Sequence, residues 1–385
     1  VTEANDRLAP KIIQIAKKHN NHNSRWSELG HALTRPIPFR MRNTSTAQNF
    51  MAFSMGYDPN AAYSYSGHTM GRGIAILRTS DGSISWSGYS STSSSLSDDS
   101  FNDMDFAFVA EPTTLDTNND GFVDRLYAVD LGAQVWRFDI ADPFVRRSSS
   151  SVDGWRVANL GRDSDGERRR AYKPVQAVTV RDRGAVWTAL VLGTGDRMNP
   201  LQSPNDNRLY MIKDQNNAGT PQSTPIDDDD LFDATNNTLG TTTNETLLAQ
   251  AYDDLRLADG WFIDLPADRK AISRPLIAEG IVNYPVYTIP SSSDPCRNNI
   301  GEGTLYRMSL YDALPVHDYN VSGALETEDR EIPLRAPGIP ADLVAHRDPD
   351  GNLSICAGFE CAPADPNLQP GDENPRVYNN YWFQR

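Results

Sequence analysis

No run of this chain approaches the roughly 18 apolar residues that a membrane-crossing helix needs, and basic residues are in the minority. The 36 Lys and Arg against 51 Asp and Glu leave a formal net charge of −15. The first absence argues against a helical membrane span. The second argues against a nucleic-acid partner, which asks for a basic face. Cysteine is scarce, represented by Cys296, Cys356 and Cys361. Cys356 and Cys361 can close a small disulfide loop, or Cys296 can pair with either of them; a disulfide implies an oxidising compartment. A Cys-x₄-Cys pair without nearby His makes a poor zinc site. Catalytic signatures are missing as well: there is no Gly-x-Ser-x-Gly elbow, Cys/His arrangement or phosphate loop. The histidines (His19, His22, His31, His68, His317 and His346) are scattered. His19 and His22 read as solvated, and His31 as a structural hydrogen-bonding residue. Nothing argues for a nucleophile, so the chain reads as a non-enzyme.

What is present is turn-forming. Twenty-six Gly and 25 Pro in 385 residues favour many short strands over long helices. Beginning at Val1 without a basic-then-apolar leader, the sequence reads as a mature or trimmed product. A local pattern recurs, consisting of a short apolar strand, an Asp or polar turn, and sometimes a Trp. It runs as Gly73 to Leu77 with Asp81-Gly82 and Trp86, and as Leu126 to Asp130 with Gly132 and Trp136. Weaker copies begin at Leu209 and Leu305. Strand candidates precede each copy, at Met51–Gly56, Asp105–Ala110, Ala189–Gly195 and Pro285–Ile289. Pro-led strands follow Arg35, Lys173, Arg274 and Ile339. Radially repeated antiparallel units of this kind suit an all-β fold, a modified β-propeller with irregular long loop insertions and few short helices.

Two regions are predicted: an N-terminal extension, 1–25, with a short helix around Ala9–His19, and a propeller-like domain over 26–385. Within the latter, 87–103 reads as a Ser-rich loop and 196–245 as a long mobile insertion containing a solvated block at Asp227–Asp230. Glu245–Leu257 has helix-compatible composition, with an apolar spacing at Leu247, Leu248 and Tyr252.

One stretch carries chemistry. In Asp116-Thr117-Asn118-Asn119-Asp120-Gly121-Phe122-Val123-Asp124, oxygen-bearing side chains fall at positions 1, 3, 5 and 9 with glycine at position 6. Ca²⁺ takes six to eight oxygen ligands, and a loop so spaced curls around the ion. Asp116, Asn118, Asp120 and Asp124 would give side-chain oxygens and Phe122 its backbone carbonyl. Position 12 is Tyr127 rather than Glu, and both flanks read as strands, so this is not an EF-hand. Three carboxylates in nine residues repel one another without a cation. The shorter acidic turns at Asp163–Glu167 and Asp348–Asn352 lack a suitable ninth residue.

The loop runs directly into Arg-Leu-Tyr-Ala-Val-Asp-Leu-Gly-Ala-Gln-Val-Trp-Arg-Phe-Asp-Ile. Leu29-Gly30-His31, Leu192-Gly193-Thr194-Gly195-Asp196, Gly260-Trp261-Phe262-Ile263-Asp264-Leu265-Pro266 and Asp294-Pro295-Cys296 occur in the same order around it. Together, over roughly 26–345, these resemble the C-terminal domain of the PilY family of type IV pilus tip-associated biogenesis and adhesin proteins. The resemblance implies a modified propeller with a nine-residue calcium loop and, by position, Asp116, Asn118, Asp120, Phe122 and Asp124 as metal ligands. It also implies calcium-linked control of pilus extension and retraction, minor pilins or the assembly machinery as partners, and a bacterial surface location. The family's large N-terminal adhesive region and its Arg-Gly-Asp tripeptide are not in this sequence.

Two other readings compete. A surface adhesin would use calcium structurally and bind a host or surface receptor through its loops. A quinoprotein dehydrogenase shares the strand-Asp-x₅-Trp pattern, but this sequence lacks the adjacent Cys pair of alcohol-oxidising members. In any of these folds Trp86 and Trp136 are expected to pack between blades, with their indole N–H bonded to backbone.

Overall fold

The structure, a computed structural model, describes residues 25–364 except 44–45, 63–66, 94–95, 147, 162–168, 183, 204–205, 217–218, 222, 291–299 and 349–351. The N-terminal extension with its expected helix, His19, His22, Cys296 and the Asp163–Glu167 turn lie wholly or largely outside the described residues. Two compact units are present, 1–188 with 214–227, and 189–213 with 228–385.

In the first unit, alternation and apolar runs build two antiparallel-rich sheets in chain order. The first contains β1 (Ile37–Asn43), β2 (Thr46–Ser54), β3 (Gly73–Arg78), β4 (Ile84–Ser90) and β5 (Asp99–Phe101), in that spatial order. The second is β6 (Thr113–Leu115), β7 (Arg125–Val129), β8 (Gln134–Ile140) and β9 (Val152–Asn159). β10 (Gln176–Asp182) follows. β3 reads as a near-continuous apolar run because both its faces are covered. Ile74 and Ile76 enter one core with Trp86, Phe108, Trp136 and Phe138, whereas Ala75 and Leu77 enter another with Trp26, Met51 and Phe53.

Aromatic rings lock the two sheets together. Trp86 meets Phe138 edge-on at 5.9 Å, and Phe101 meets Trp136 at 5.8 Å and Phe138 at 5.9 Å. Phe101 fits because β4 and β9 present glycine beneath it. A Cβ at Gly88 would lie 2.6 Å from the Phe101 ring, and one at Gly154 would lie 2.7 Å from it. The expected packing of Trp86 and Trp136 holds, but their hydrogen bonds do not go to backbone. Trp86 Nε1 donates to Asp99 Oδ2 at 2.7 Å, and Trp136 Nε1 to Asp130 Oδ2 at 3.0 Å.

The second unit continues with β11 (Ala185–Gly193), β12 (Arg208–Asp214), β13 (Phe232–Asp233) and β14 (Gly260–Asp264), in which β14 lies between β12 and β13. Then come β15 (Arg269–Lys270), β16 (Leu276–Ala278), β17 (Ile281–Thr288), β18 (Glu302–Ser309) and β19 (Glu331–Pro333) in one sheet. A last hairpin sheet holds β20 (Leu343–Arg347), β21 (Leu353–Ala357) and β22 (Glu360–Pro363). Cys356 and Cys361 stand opposite each other across β21 and β22 and are disulfide-bonded, which selects one of the three pairings left open above. The chain is all-β with few short helices, and its succession of antiparallel blades is the modified propeller class read from the sequence.

Several local expectations fail, for definable reasons. Asp105–Ala110 forms no strand. Ala107 to Ala110 are buried and Phe106 half-buried, but the backbone bonds are shared among separate loops: Phe108 N donates to Gly71 O, Gly56 N to Phe108 O and Leu131 N to Ala107 O. The 87–103 loop is shorter than expected, since β4 runs to Ser90 and β5 forms at Asp99–Phe101. The 196–245 insertion is not one loop: it contains β12, which holds the weaker strand copy at Leu209, and the short β13. Asp227–Asp230 is solvated only in part: Asp227, Asp229 and Asp230 are exposed, but Asp228–Asp230 form a 3₁₀ turn in which Asp228 is buried. The Asp228 carboxylate pairs with Arg208 at 2.8 Å and accepts from Tyr210 Oη at 3.0 Å. The helix at Glu245–Leu257 is present, N-capped by Asn244, but it buries Ala251 and Leu255 and leaves Leu247 and Tyr252 exposed.

Asp130 offers a pH test of the aromatic lock. Burial pushes its carboxyl up to about 7, against the hydrogen bonds donated by Gln134 N, Trp136 Nε1 and Gly132 N. The folded chain then binds the extra proton between the ordinary value of 3.8 and about 7. Its stabilising contribution is therefore complete below that window and lost as pH rises through about 7. In guanidinium unfolding, the stability of the wild type relative to Asp130→Asn is expected to fall between pH 4 and 8. A constant difference would mean that the carboxylate stays ionised.

Candidate functional site

The nine residues 116–124 join β6 to β7, whose register closes on the pair Leu115↔Arg125. Side chains, not packing, shape the turn. Asp116 Oδ1 accepts from Asn119 N at 2.6 Å and Asp120 N at 3.3 Å, and its Oδ2 accepts from Gly121 N at 2.8 Å. Asn118 Oδ1 accepts from Asp120 N at 2.9 Å, and Asp120 Oδ1 from Phe122 N at 2.9 Å. Asp124 Oδ2 closes the loop by accepting from both the N and Oγ1 of Thr117 at 2.6 Å. Asn119 (φ 63°) and Gly121 (φ 86°) take the left-handed conformation. A Cβ at Gly121 would meet nothing within 4 Å, so glycine there answers backbone conformation rather than crowding.

The loop is tied down on both sides. Val123 N donates to Arg40 O at 2.9 Å, and Val123 packs against the aromatic core. Asp124 N donates to Leu115 O at 3.1 Å, and Ile140 N to Asp124 O at 2.7 Å. From β1, Arg42 stands 4.7 Å and Arg40 5.5 Å over the Phe122 ring. Arg42 Nη2 lies 3.6 Å from Asp120 Oδ2 while its Nη1 bonds Asp142 at 2.7 Å.

Directly beyond the loop, Arg125 enters a buried polar network. Its Nε donates to Asp139 at 2.9 Å, and its Nη1 to Tyr127 Oη at 3.3 Å. Tyr127 donates to Asp214 at 2.6 Å, and Arg137 bonds Asp139 and Asp214 with both side chains at zero exposure in the Arg137–Asp214 pair. Arg137 Nη1 also reaches Asn216 O at 2.6 Å. The ninth loop residue is thus one residue from a chain of bonds ending at 214–216.

All five expected ligands fall within this turn. Three carboxylates, one amide oxygen and one backbone carbonyl form an all-oxygen donor set, the chemistry of a hard cation such as Ca²⁺ and not of a thiolate- or imidazole-loving metal. The donor set therefore fits the ion. The carboxylates themselves are spent on the loop's own N–H groups, and among the described residues no three His, Cys, Asp or Glu converge as a ready-made metal cluster.

A second loop, missed in the sequence, repeats the turn. Asp318, Asn320, Ser322, Gly323 and Glu326 have the same spacing as Asp116, Asn118, Asp120, Gly121 and Asp124. Ser322 N donates to Asp318 Oδ1 at 3.1 Å and to Asn320 Oδ1 at 2.8 Å, and Gly323 N to Asp318 Oδ2 at 2.8 Å. Val321 (φ 60°) and Gly323 (φ 89°) reproduce the left-handed positions. Serine at the fifth position conceals the motif, and one fewer carboxylate separates the two donor sets. The shared geometry shows that this turn folds without a third carboxylate, so charge and not loop shape singles out 116–124.

No protein-family model matches the chain. Over 314 residues it is 24% identical to the type IV pilus biogenesis factor PilY1 of two Pseudomonas aeruginosa strains, PAO1 and PAK. That match takes in 67% of this chain but only 26% of those relatives, so the chain spans about a quarter of their length. The crystal structure of the Pseudomonas aeruginosa PilY1 C-terminal domain superposes with a TM-score of 0.59 at 16% identity, covering 89% of this chain and 73% of that one. At that identity the likeness speaks for the fold.

The two loops predict opposite substitution effects. Val321 is β-branched, 86% exposed and held at positive φ, so Val321→Asn should stabilise by about 0.5–1 kcal/mol. Gly121→Ala should destabilise by about 1 kcal/mol although its methyl meets no neighbour. Chemical denaturation in chelator measures both.

Proposed function

We propose that this chain, a PilY-family C-terminal domain, serves type IV pilus biogenesis as an exported calcium-responsive module at the bacterial surface. The observation that carries the reading is loop 116–124, with its concentration of three carboxylates in an oxygen-only donor set between two strands. Asp116, Asn118, Asp120, the Phe122 carbonyl and Asp124 would hold the ion. Bound there, calcium supplies the positive charge that offsets their mutual repulsion.

The remaining work belongs to the chain. Asp116 and Asp120 hold the turn through backbone N–H groups, so neutralising them shifts the loop's order more than the fold's. Asp124 hands any change in loop order to Arg125, and from there to Asp139, Arg137 and the 214–216 segment. A partner that contacts either segment, such as a minor pilin or the assembly machinery, would sense the ordered state and bias extension against retraction. No catalytic step is involved.

Surface adhesion is the second reading, favoured by the helix at Glu245–Leu257, which presents Leu247 (60% exposed), Tyr252 (43%) and Leu257 (72%) outward. Polar replacement of these three would abolish adhesion while leaving piliation intact if that face binds a receptor. Unchanged adhesion would remove this reading.

Calcium titration of the purified chain by calorimetry tests the main proposal. One bound ion is expected, lost in Asp120→Ala and Asp124→Ala, with a gain in unfolding free energy of about 2.7 kcal/mol at a hundredfold excess over Kd. Pili that extend and retract normally in a strain carrying a non-binding Asp124→Ala would retire the switching role.

A further inference from the structure

We propose that Arg42 is a tethered cation that sets the calcium affinity of loop 116–124 by competing with the ion at Asp120, an inference that rests on the calcium reading above. β1 lies beside the loop, and Arg40 O, by accepting from Val123 N at 2.9 Å, fixes its register there. Residues two apart on a strand share a face. Arg40 and Arg42 therefore both project over the Phe122 ring, at 5.5 and 4.7 Å. Asp120 uses Oδ1 to accept from Phe122 N, and it is the other oxygen, Oδ2, that faces Arg42 Nη2 at 3.6 Å.

Arg42 cannot simply turn away. Its Nη1 is bonded to Asp142 Oδ2 at 2.7 Å, its guanidinium rests on Phe122, and its own carbonyl accepts from Phe144 N at 2.8 Å. Without calcium, this charge offsets part of the repulsion among Asp116, Asp120 and Asp124. With calcium, the same charge sits beside a doubly charged ion. A bare unit charge and a double charge on the order of 6 Å apart in water would repel enough to weaken binding roughly tenfold, an upper bound because the Asp142 carboxylate pairs with Arg42 at 2.7 Å. Physiological salt reduces that to about threefold. The pair is open to such screening, since the side chains of Arg42 and Asp120 are 40% and 32% exposed.

Calcium calorimetry on the wild type, Arg42→Gln and Arg42→Lys, at about 0.02 and 0.3 M salt, tests this. Arg42→Gln is expected to bind calcium about three- to tenfold more tightly at low salt, with the gain shrinking at high salt. Arg42→Lys keeps the charge and is expected to stay near wild type. Arg42→Met, which keeps an apolar stem over Phe122, replaces the Gln variant should that fail to fold. A wild type that does not bind beside an Arg42→Gln variant that does would support the proposal in its strongest form. Equal affinities in wild type and neutral variant would overturn the role of Arg42 while leaving the calcium reading intact. Absence of binding in every variant would overturn both.

Discussion

An indole buried in an aromatic core brings an N–H that must find an acceptor or cost free energy on the order of a lost hydrogen bond. For Trp86 and Trp136 the first unit meets that constraint with carboxylates carried on its own strands and turns. Asp130 sits in the turn between β7 and β8, where it accepts from two backbone N–H groups and from Trp136 of the following strand. Asp99 in β5 does the same for Trp86. Because these acceptors are fixed, the two rings are fixed. Phe101 can then slot between Gly88 and Gly154, and the sheets carrying β1 and β7 are held at one separation. Loop 116–124 lies between partners from both sheets, Arg40 on one side and Ile140 on the other.

What the residues disclosed in advance followed from chemistry that is local in sequence. The strands at Gly73–Leu77 and Leu126–Val129 were legible because apolar runs end at Asp and Gly turns. Loop 116–124 was legible because its hydrogen bonds connect residues two to seven apart. The Glu245–Leu257 helix was legible from composition, whereas its Asn244 cap was not read. What escaped was decided by distant partners. Nothing near Asp228 in the chain announces that Arg208 and Tyr210 will neutralise it. Nor does the apolar stretch at Phe106–Ala110 reveal that its backbone will bond Gly56, Gly71 and Leu131 instead of a strand. The candidate ligands were readable, whereas Arg42 was not, because it reaches Asp120 from 78 positions away in the sequence.

The buried Arg137–Asp214 pair illustrates a different economy. Removing two charges from water is expensive, and such pairs seldom add net stability over apolar residues of the same volume. Here Arg137 is engaged by Asp139, Asp214, Asn216 O and the Trp155 ring, 4.6 Å away. That density of directional bonds specifies one arrangement of the 214–216 segment. Arg125, the neighbour of Asp124 in sequence, shares the Asp139 carboxylate with Arg137.

The twin turns at 116–124 and 318–326 separate architecture from ionic character. One backbone solution, with left-handed residues at the fourth and sixth positions, is used twice on scaffolds of different strands. Only the outward chemistry of a few side chains distinguishes the copies. Shape and charge are thus separable at the fifth position, where Asp120 in one copy and Ser322 in the other give their backbone N–H to the same pair of side-chain acceptors.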